Sequence, residues 1–164
     1  MTAPAAELIL RPGDGRDLDE VMAVMDNAFD PAFGEAWTRA QAQGVIGLTG
    51  VWLTLARHGI APAGFALSRV VADEAELLLL AVPGSARRRG TGAALLAKTM
   101  EGARARGAAT LHLEVRENNP ALELYRHAGF VQVGRRARYY RGQDGRSYDA
   151  LTLSLSLRPE VACK

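Results

Sequence analysis

The stretch SARRRGTGAALL, Ser85 to Leu96, sets Arg87, Arg88 and Arg89 and then Gly90, Thr91 and Gly92 directly ahead of an apolar run. If that run is a helix, its first backbone N–H groups have no intrahelical partner and point out of the N-terminus. With the helix dipole they attract anionic oxygens, and glycines let such a ligand approach the backbone closely. Arginines add charge-assisted contacts at the mouth. Three readings fit this pattern: a solvated charged loop, a dinucleotide fingerprint, and a pyrophosphate seat of another kind. For the fingerprint, Glu114 stands near the place of a ribose-binding acid, ~20 residues on. Against it, Leu95 occupies the position of the third glycine, and seven residues separate Val82 from Gly90. No Gly-Lys-Ser/Thr follows, so the lysine-bearing phosphate loop of nucleotide hydrolases is excluded.

Further on, ATLHLEV reads as a strand in which Leu111, Leu113 and Val115 point one way and His112 and Glu114 the other. Glu114 is then either a carboxylate placed to take a proton or an exposed strand-end glutamate. His112 is a second, weaker candidate base. On spacing alone Tyr125 is a core aromatic beside Leu122 and Phe130. Three scattered histidines and one cysteine make no ligand cluster, so no metal is expected.

These residues need elements to hold them. The 164 residues suffice for one domain with a real core, and the whole chain, 1–164, is expected to form it. The apolar fraction of 48% and charged fraction of 23% are those of a globular protein. A net charge of +2 suits an anionic small ligand as well as a polyanion. Cys163 stands alone, which excludes an internal disulfide and fits a reducing compartment. With no signal segment and no apolar run long enough to cross a bilayer, a cytoplasmic protein without a membrane partner is expected.

Along the chain, ELILRP predicts a strand ending at Pro12. Leu18, Val21, Met22, Met25 and Phe29 follow at helical spacing behind the cap candidates Asp14 and Asp17. EAWTRAQAQGVIG predicts a weaker helix broken by glycines. VWLTLAR, AGFALSRVVA and AELLLLAV predict an antiparallel meander. A helix from Gly90 to Arg106 stops at Gly107, then come the ATLHLEV strand, a PALELYRHAG helix and two strands. The last, ALTLSLSL, alternates without a fault, so one of its faces must be buried. The order β, α, α, β, β, β, α, β, α, β, β implies a mixed α/β sheet with helices on both faces.

LAV…ARRRGTGAALL resembles the acetyl-CoA signature of the GNAT superfamily of N-acetyltransferases, Gln/Arg-x-x-Gly-x-Gly/Ala, which Arg87 to Gly92 match at every fixed position. ATLHLEVRENNPALELYRHAGF and RRARYYRGQDGRSYDALTLSL are similar to the ribosomal-protein-alanine N-acetyltransferases within it. The resemblance covers nearly the whole chain. It implies that superfamily's mostly antiparallel seven-stranded sheet flanked by about four helices, and acetylation of a protein's N-terminal amine, an alanine of a small-subunit ribosomal protein.

By the same resemblance, Arg87, Arg88, Arg89, Gly90, Thr91 and Gly92 cradle the pyrophosphate of acetyl-CoA, the co-substrate. The pantetheine arm pairs with the backbone of Leu80, Ala81 and Val82. Glu114 acts as general base, and Tyr125, near the thioester sulfur, as general acid. Tyr139 and Tyr140 line the groove for the acceptor's first backbone atoms. A coenzyme-contacting asparagine maps to Asn119 counted from Glu114 and to Asn118 counted back from Tyr125, because the chain is one residue short between them. AWT at residues 36–38 replaces the commoner Pro-Trp-Ser, and Tyr148 stands where Glu is frequent. The protein is expected to act as a monomer, without nucleic acid, because its basic residues are not interleaved with stacking aromatics. Acetylation of a lysine or small amine, and a non-catalytic acyl-CoA-binding domain, are the alternatives.

Overall fold

The computed structural model describes residues 4–159; Cys163 lies outside them. Strand β1 (Leu8–Gly13) leads into helix α1 (Leu18–Ala28), and α2 (Arg39–Ile46) follows after a loop. The meander is β2 (Val51–His58), β3 (Ala61–Val71) and β4 (Glu74–Ala81). Then come α3 (Thr91–Ala105), β5 (Thr110–Arg116), α4 (Leu122–His127), β6 (Val131–Arg141) and β7 (Ser147–Ser156). The seven strands form one sheet in the order β1-β2-β3-β4-β5-β7-β6, antiparallel throughout except where β4 meets β5. Among the described residues no helix is long and apolar enough to cross a membrane.

Apolar spacing assigns each helix its face. Leu18, Val21, Met25 and Ala28 of α1 and Ala42 and Ile46 of α2 are buried against Leu53, Leu55, Phe65 and Leu67 of the meander. On the other face, Leu95, Leu96 and Ala103 of α3 and Leu122 and Tyr125 of α4 pack on Leu111, Leu113 and Val115 of β5 and Leu151 and Leu153 of β7. The faultless alternation of β7 thus buries its leucines under α3 and α4.

Several boundaries differ from the sequence expectation for local reasons. Asp14 caps a 3₁₀ turn at Gly15–Asp17, accepting from the Arg16 N–H, whereas the Asp17 carboxylate does not cap α1. It binds Arg11 at 2.7 Å and the Asp14 N–H at 2.9 Å instead. Gly44 does not break α2, because a reciprocal Thr38–Gln41 capping box fixes the helix start. Helix α4 opens late because Asn119 first forms a turn, its Oδ1 accepting the Ala121 N–H at 2.9 Å.

One irregularity matters for function. Opposite Leu67 and Ser68 of β3 stand Leu79 and Leu77, so Leu78 is a bulge in β4. The extra residue exchanges the faces of the strand. Ala75 and Leu77 lie in the core under α3, while Leu79 and Ala81 lie in the core under α1.

Candidate active site

The parallel ladder between β4 and β5 holds only three residue pairs, the last being Glu76 with His112. Beyond it β4 runs on to Ala81 and β5 to Arg116 without pairing each other. Residues 77–81 therefore keep one edge bonded to β3 and leave peptide groups of the other edge without a strand partner. A cleft of about 1240 Å³ occupies this parting and is lined from both faces of the sheet. Leu80, Ala81 and Val82 form part of its wall.

The N-terminus of α3 opens into one end of the cleft, where Gly90, Thr91, Gly92 and Ala93 line it. Gly90 takes φ +78° at the cap position, and no side chain caps the helix there. That conformation suits glycine and leaves the first N–H groups free for a ligand. At Gly92 a Cβ would stand 3.3 Å from Leu124 Cδ2 and 3.8 Å from Val82 Cγ2, so only glycine keeps the trough between α3 and α4 at this width. The amide-lined cradle, with Arg88 at its lip in a left-handed conformation (φ +59°), fits a phosphate-bearing ligand such as a coenzyme pyrophosphate.

The other arginines behave differently. The Arg87 guanidinium donates to Val82 O at 3.1 Å and Ala28 O at 2.6 Å, tying the end of α1 to the end of β4. It also lines the cleft, so its charge sits beside the cradle while its Nε and Nη2 serve the backbone. Arg89 is not among the residues lining the cleft. The Thr91 side chain turns inward, its hydroxyl 3.1 Å from His58 Nε2, so only its backbone faces a ligand.

Glu114 and Tyr125 reach the cleft from opposite faces of the sheet. Glu114 belongs to the α1–α2 face, and its Oε2 lies 3.6 Å from Arg136 Nε. Tyr125 comes from α4, in edge contact with Phe130 at 5.8 Å between ring centres, and lines the same cleft. Burial, with the negative charge of Glu35 added, holds its phenol well above the ordinary tyrosine range. Tyr125 is thus both the core aromatic that spacing suggests and a cleft residue. His112 does not line the cleft, since the β4–β5 ladder is still closed beside it.

Tyr139 and Tyr140 also line the cleft, packed edge to face with ring centres 5.1 Å apart. A bulge brings them there: Arg136 pairs with Ala150 and Tyr140 with Tyr148, so three residues of β6 oppose Asp149 alone. Asp149 Oδ1 accepts the Arg138 N–H at 2.9 Å, where φ is +55°. Burial first, then the charges of Glu114 and Glu35, raise the Tyr140 phenol to about 12. Asn118 and Asn119 both line the cleft. The Asn118 side-chain oxygen accepts from Arg116, while that of Asn119 holds the start of α4.

Sequence reasoning missed Glu35 and Arg116. Arg116 Nε donates to Glu35 Oε1 at 2.8 Å, with the two side chains 6% and 13% exposed. The same guanidinium lies 3.6 Å over the Phe33 ring, which meets Tyr148 edge-on at 5.5 Å. With Ala32 O accepting the Gln143 N–H at 3.0 Å, the α1–α2 loop is fastened to the β6–β7 hairpin, and Glu35 lines the cleft beneath it. Eighty-one residues separate the partners, and nothing local marks either one. Their only signal is a glutamate in a Pro/Gly loop and an arginine at the end of β5.

The model of the acetyltransferase (GNAT) family matches residues 18–130. A 96-residue segment, 58% of this chain, is 43% identical to the ribosomal protein bS18-alanine N-acetyltransferase of Escherichia coli K12 and spans 64% of that protein. A segment covering 57% of the chain is 38% identical to the N-alpha-acetyltransferase RimI of Mycobacterium tuberculosis, over 60% of its length. The crystal structure of the Escherichia coli ribosomal-protein-S18-alanine N-acetyltransferase superposes with a TM-score of 0.85, at 30% identity, over 96% of this chain and all of that one. Ard1 of Thermoplasma volcanium shares the fold, with a TM-score of 0.78 at 23% identity over 93% of this chain and 99% of that one.

Proposed function

Because this chain belongs to the acetyltransferase (GNAT) family, we propose that residues 1–164 form one acetyl-CoA-dependent N-acetyltransferase domain. Its acceptor is the N-terminal α-amine of a protein, an alanine of a small-subunit ribosomal protein in the cytoplasm. The observation that carries this reading is the meeting of Glu114 and Tyr125, from opposite sheet faces, in one cleft that ends on the uncapped N-terminus of α3.

Acetyl-CoA supplies the activated acetyl group when bound. The N–H groups at the start of α3 hold its pyrophosphate, with Arg88 contributing charge; Arg87 and Arg89 act through their field and loop geometry. The free edge of residues 80–82 pairs with the pantetheine arm, and a backbone N–H there polarises the thioester carbonyl. Asn119 contacts the coenzyme from the turn before α4. Glu114 takes a proton from the acceptor ammonium, directly or through water. The amine nitrogen then bonds the acetyl carbon as the carbon–sulfur bond breaks; Tyr125 gives a proton to the departing sulfur and is reprotonated from solvent, which also takes the second proton that the nitrogen loses in becoming an amide. Burial suits Tyr125 to that part, since a phenol raised in pKa stays protonated across the working range. Tyr139 and Tyr140 hold the first peptide unit of the acceptor, below the loop fastened by Arg116 and Glu35. An α-amine titrates near 8 and a lysine near 10.4, so a lone carboxylate base serves the former better.

Thiol release from acetyl-CoA tests the reading, using peptides that begin with alanine, internal-lysine peptides and polyamines. Alanine peptides should react fastest. Faster reaction of lysine or polyamine would reassign the acceptor, and calorimetric binding of acetyl-CoA without any turnover would make the chain a binding domain.

A further inference from the structure

His58, at the end of β2, is buried and does not line the cleft. Both of its ring nitrogens are engaged: Nδ1 lies 3.3 Å from Ala6 O and Nε2 lies 3.1 Å from the Thr91 hydroxyl. A carbonyl can only accept, so Nδ1 carries a hydrogen, and in the neutral ring Nε2 accepts the hydroxyl proton of Thr91. Thr91 is the first residue of α3 and only 1% exposed, so water does not stand in for the imidazole. Its hydroxyl also lies 3.4 Å from Ala86 O, in the loop that precedes the helix. Its methyl faces Gly64 of β3, where a Cβ would stand 3.5 Å from it and 2.7 Å from Ala81 O. The Thr91 side chain is thus held by His58, Ala86 and Gly64, while its residue still lines the cradle.

We infer that His58 is a positioning residue for the coenzyme: through Thr91 it fixes the first turn of α3 and so sets the amide groups that receive the pyrophosphate. The inference rests on the coenzyme seat proposed for that turn and adds to it a residue outside the cleft. A cradle made of backbone N–H groups has no side chain to readjust, so its affinity depends on holding the backbone to within about 0.5 Å. Without the imidazole, the Thr91 hydroxyl turns to Ala86 O, its remaining partner, and the loop and first turn shift together. The thioester end is held by other means. Leu80 and Ala81 of β4 pair with Ala66 and Phe65 of β3 and make no contact through His58. His58 therefore governs the affinity of donors that carry a pyrophosphate and leaves the transfer step alone. A role in filling the core would instead lower Tm and affect every donor alike.

The test measures acetyl-CoA affinity by isothermal titration. It adds kcat/KM on a peptide that begins with alanine, for acetyl-CoA and for S-acetylpantetheine, which lacks the pyrophosphate. His58→Leu should bind acetyl-CoA about tenfold more weakly and raise its KM in proportion. Its kcat at saturation, and its kcat/KM for S-acetylpantetheine, should stay within about twofold of wild type. His58→Gln places an amide where Nε2 stands and should recover most of the affinity, whereas His58→Asn places one where Nδ1 stands and should not. In Thr91→Val, which lacks the hydroxyl, His58→Leu should add no further loss. Thermal unfolding shows whether each variant is folded, and the comparison of Gln with Asn decides the matter if the Leu variant does not fold. Four results overturn the inference and leave the coenzyme reading standing: wild-type affinity in His58→Leu, equal losses with both donors, recovery by Asn as well as by Gln, or additive losses in the double variant. Failure of the wild type to bind acetyl-CoA overturns both.

Discussion

At the residue scale the account rests on two proton-handling groups with different surroundings. Glu114 stands on an open strand end, its carboxylate 3.6 Å from the Arg136 guanidinium. Glu114→Gln should lower kcat ~10²-fold at pH 7 with coenzyme affinity nearly intact, and the deficit should narrow at high pH as the amine loses its proton unaided. Parallel pH–rate profiles for variant and wild type would remove Glu114 from the role. Tyr125 is raised above its ordinary value by burial, so its proton-donating form persists below that raised value. The wild-type rate should therefore show no descending limb up to about pH 10, an ordinary tyrosine's pKa, and Tyr125→Phe should lower kcat at every pH. A descending limb near pH 8 that Tyr125→Phe abolishes would contradict this. Strand alternation gave the direction of Glu114 and helix spacing the buried side of Tyr125, whereas the roles proposed for them came from the family resemblance. The backbone partners of Arg87 were not legible: its place in an arginine run says nothing of the carbonyls of Val82 and Ala28, which only the folded chain brings within its reach.

At the element scale, periodicity disclosed the long helices and the strands with a buried face, since burial of one face imposes a period on the sequence; β6 has no buried residue and carries no such period. The devices that shape the cleft left no such trace. The Leu78 bulge turns β4 over, yet LLLL is apolar on either face. The bulge before Tyr140 depends on Asp149 from the neighbouring strand. The Arg116–Glu35 pair joins elements far apart in sequence and closes the loop over the hairpin. Removing one partner of a buried pair leaves the other charge uncompensated, so Arg116→Ala should cost about 3 kcal/mol. That corresponds to a fall of roughly 10 °C in Tm and should raise KM for the acceptor more than it lowers kcat. An unchanged Tm by calorimetry would show the pair to be incidental. At the start of α3, Gly90→Ala forces a side chain onto a left-handed residue at a cost of order 1 kcal/mol. The shift it imposes on the first N–H groups should weaken acetyl-CoA binding ~10-fold. Isothermal titration giving wild-type affinity would place the phosphates elsewhere.

At the scale of the whole molecule, the parted β4 and β5 make the sheet an opening between two faces. The face under α3 and α4 carries the helix N-terminus suited to the coenzyme, and the face under α1 and α2 carries Glu114, Glu35 and the tyrosine-lined groove. Family membership and overall architecture follow from motif and element order, whereas the acceptor depends on loop and hairpin side chains that meet only in three dimensions. The most direct measurement uses one peptide that begins with alanine and carries an internal lysine, incubated with acetyl-CoA and the protein and then sequenced by tandem mass spectrometry. The account predicts one acetyl group, on the α-nitrogen of the alanine, and ~10²-fold less of it when Glu114→Gln replaces the wild type at equal times. Acetyl on the lysine side chain, or equal labelling by the variant, would contradict it.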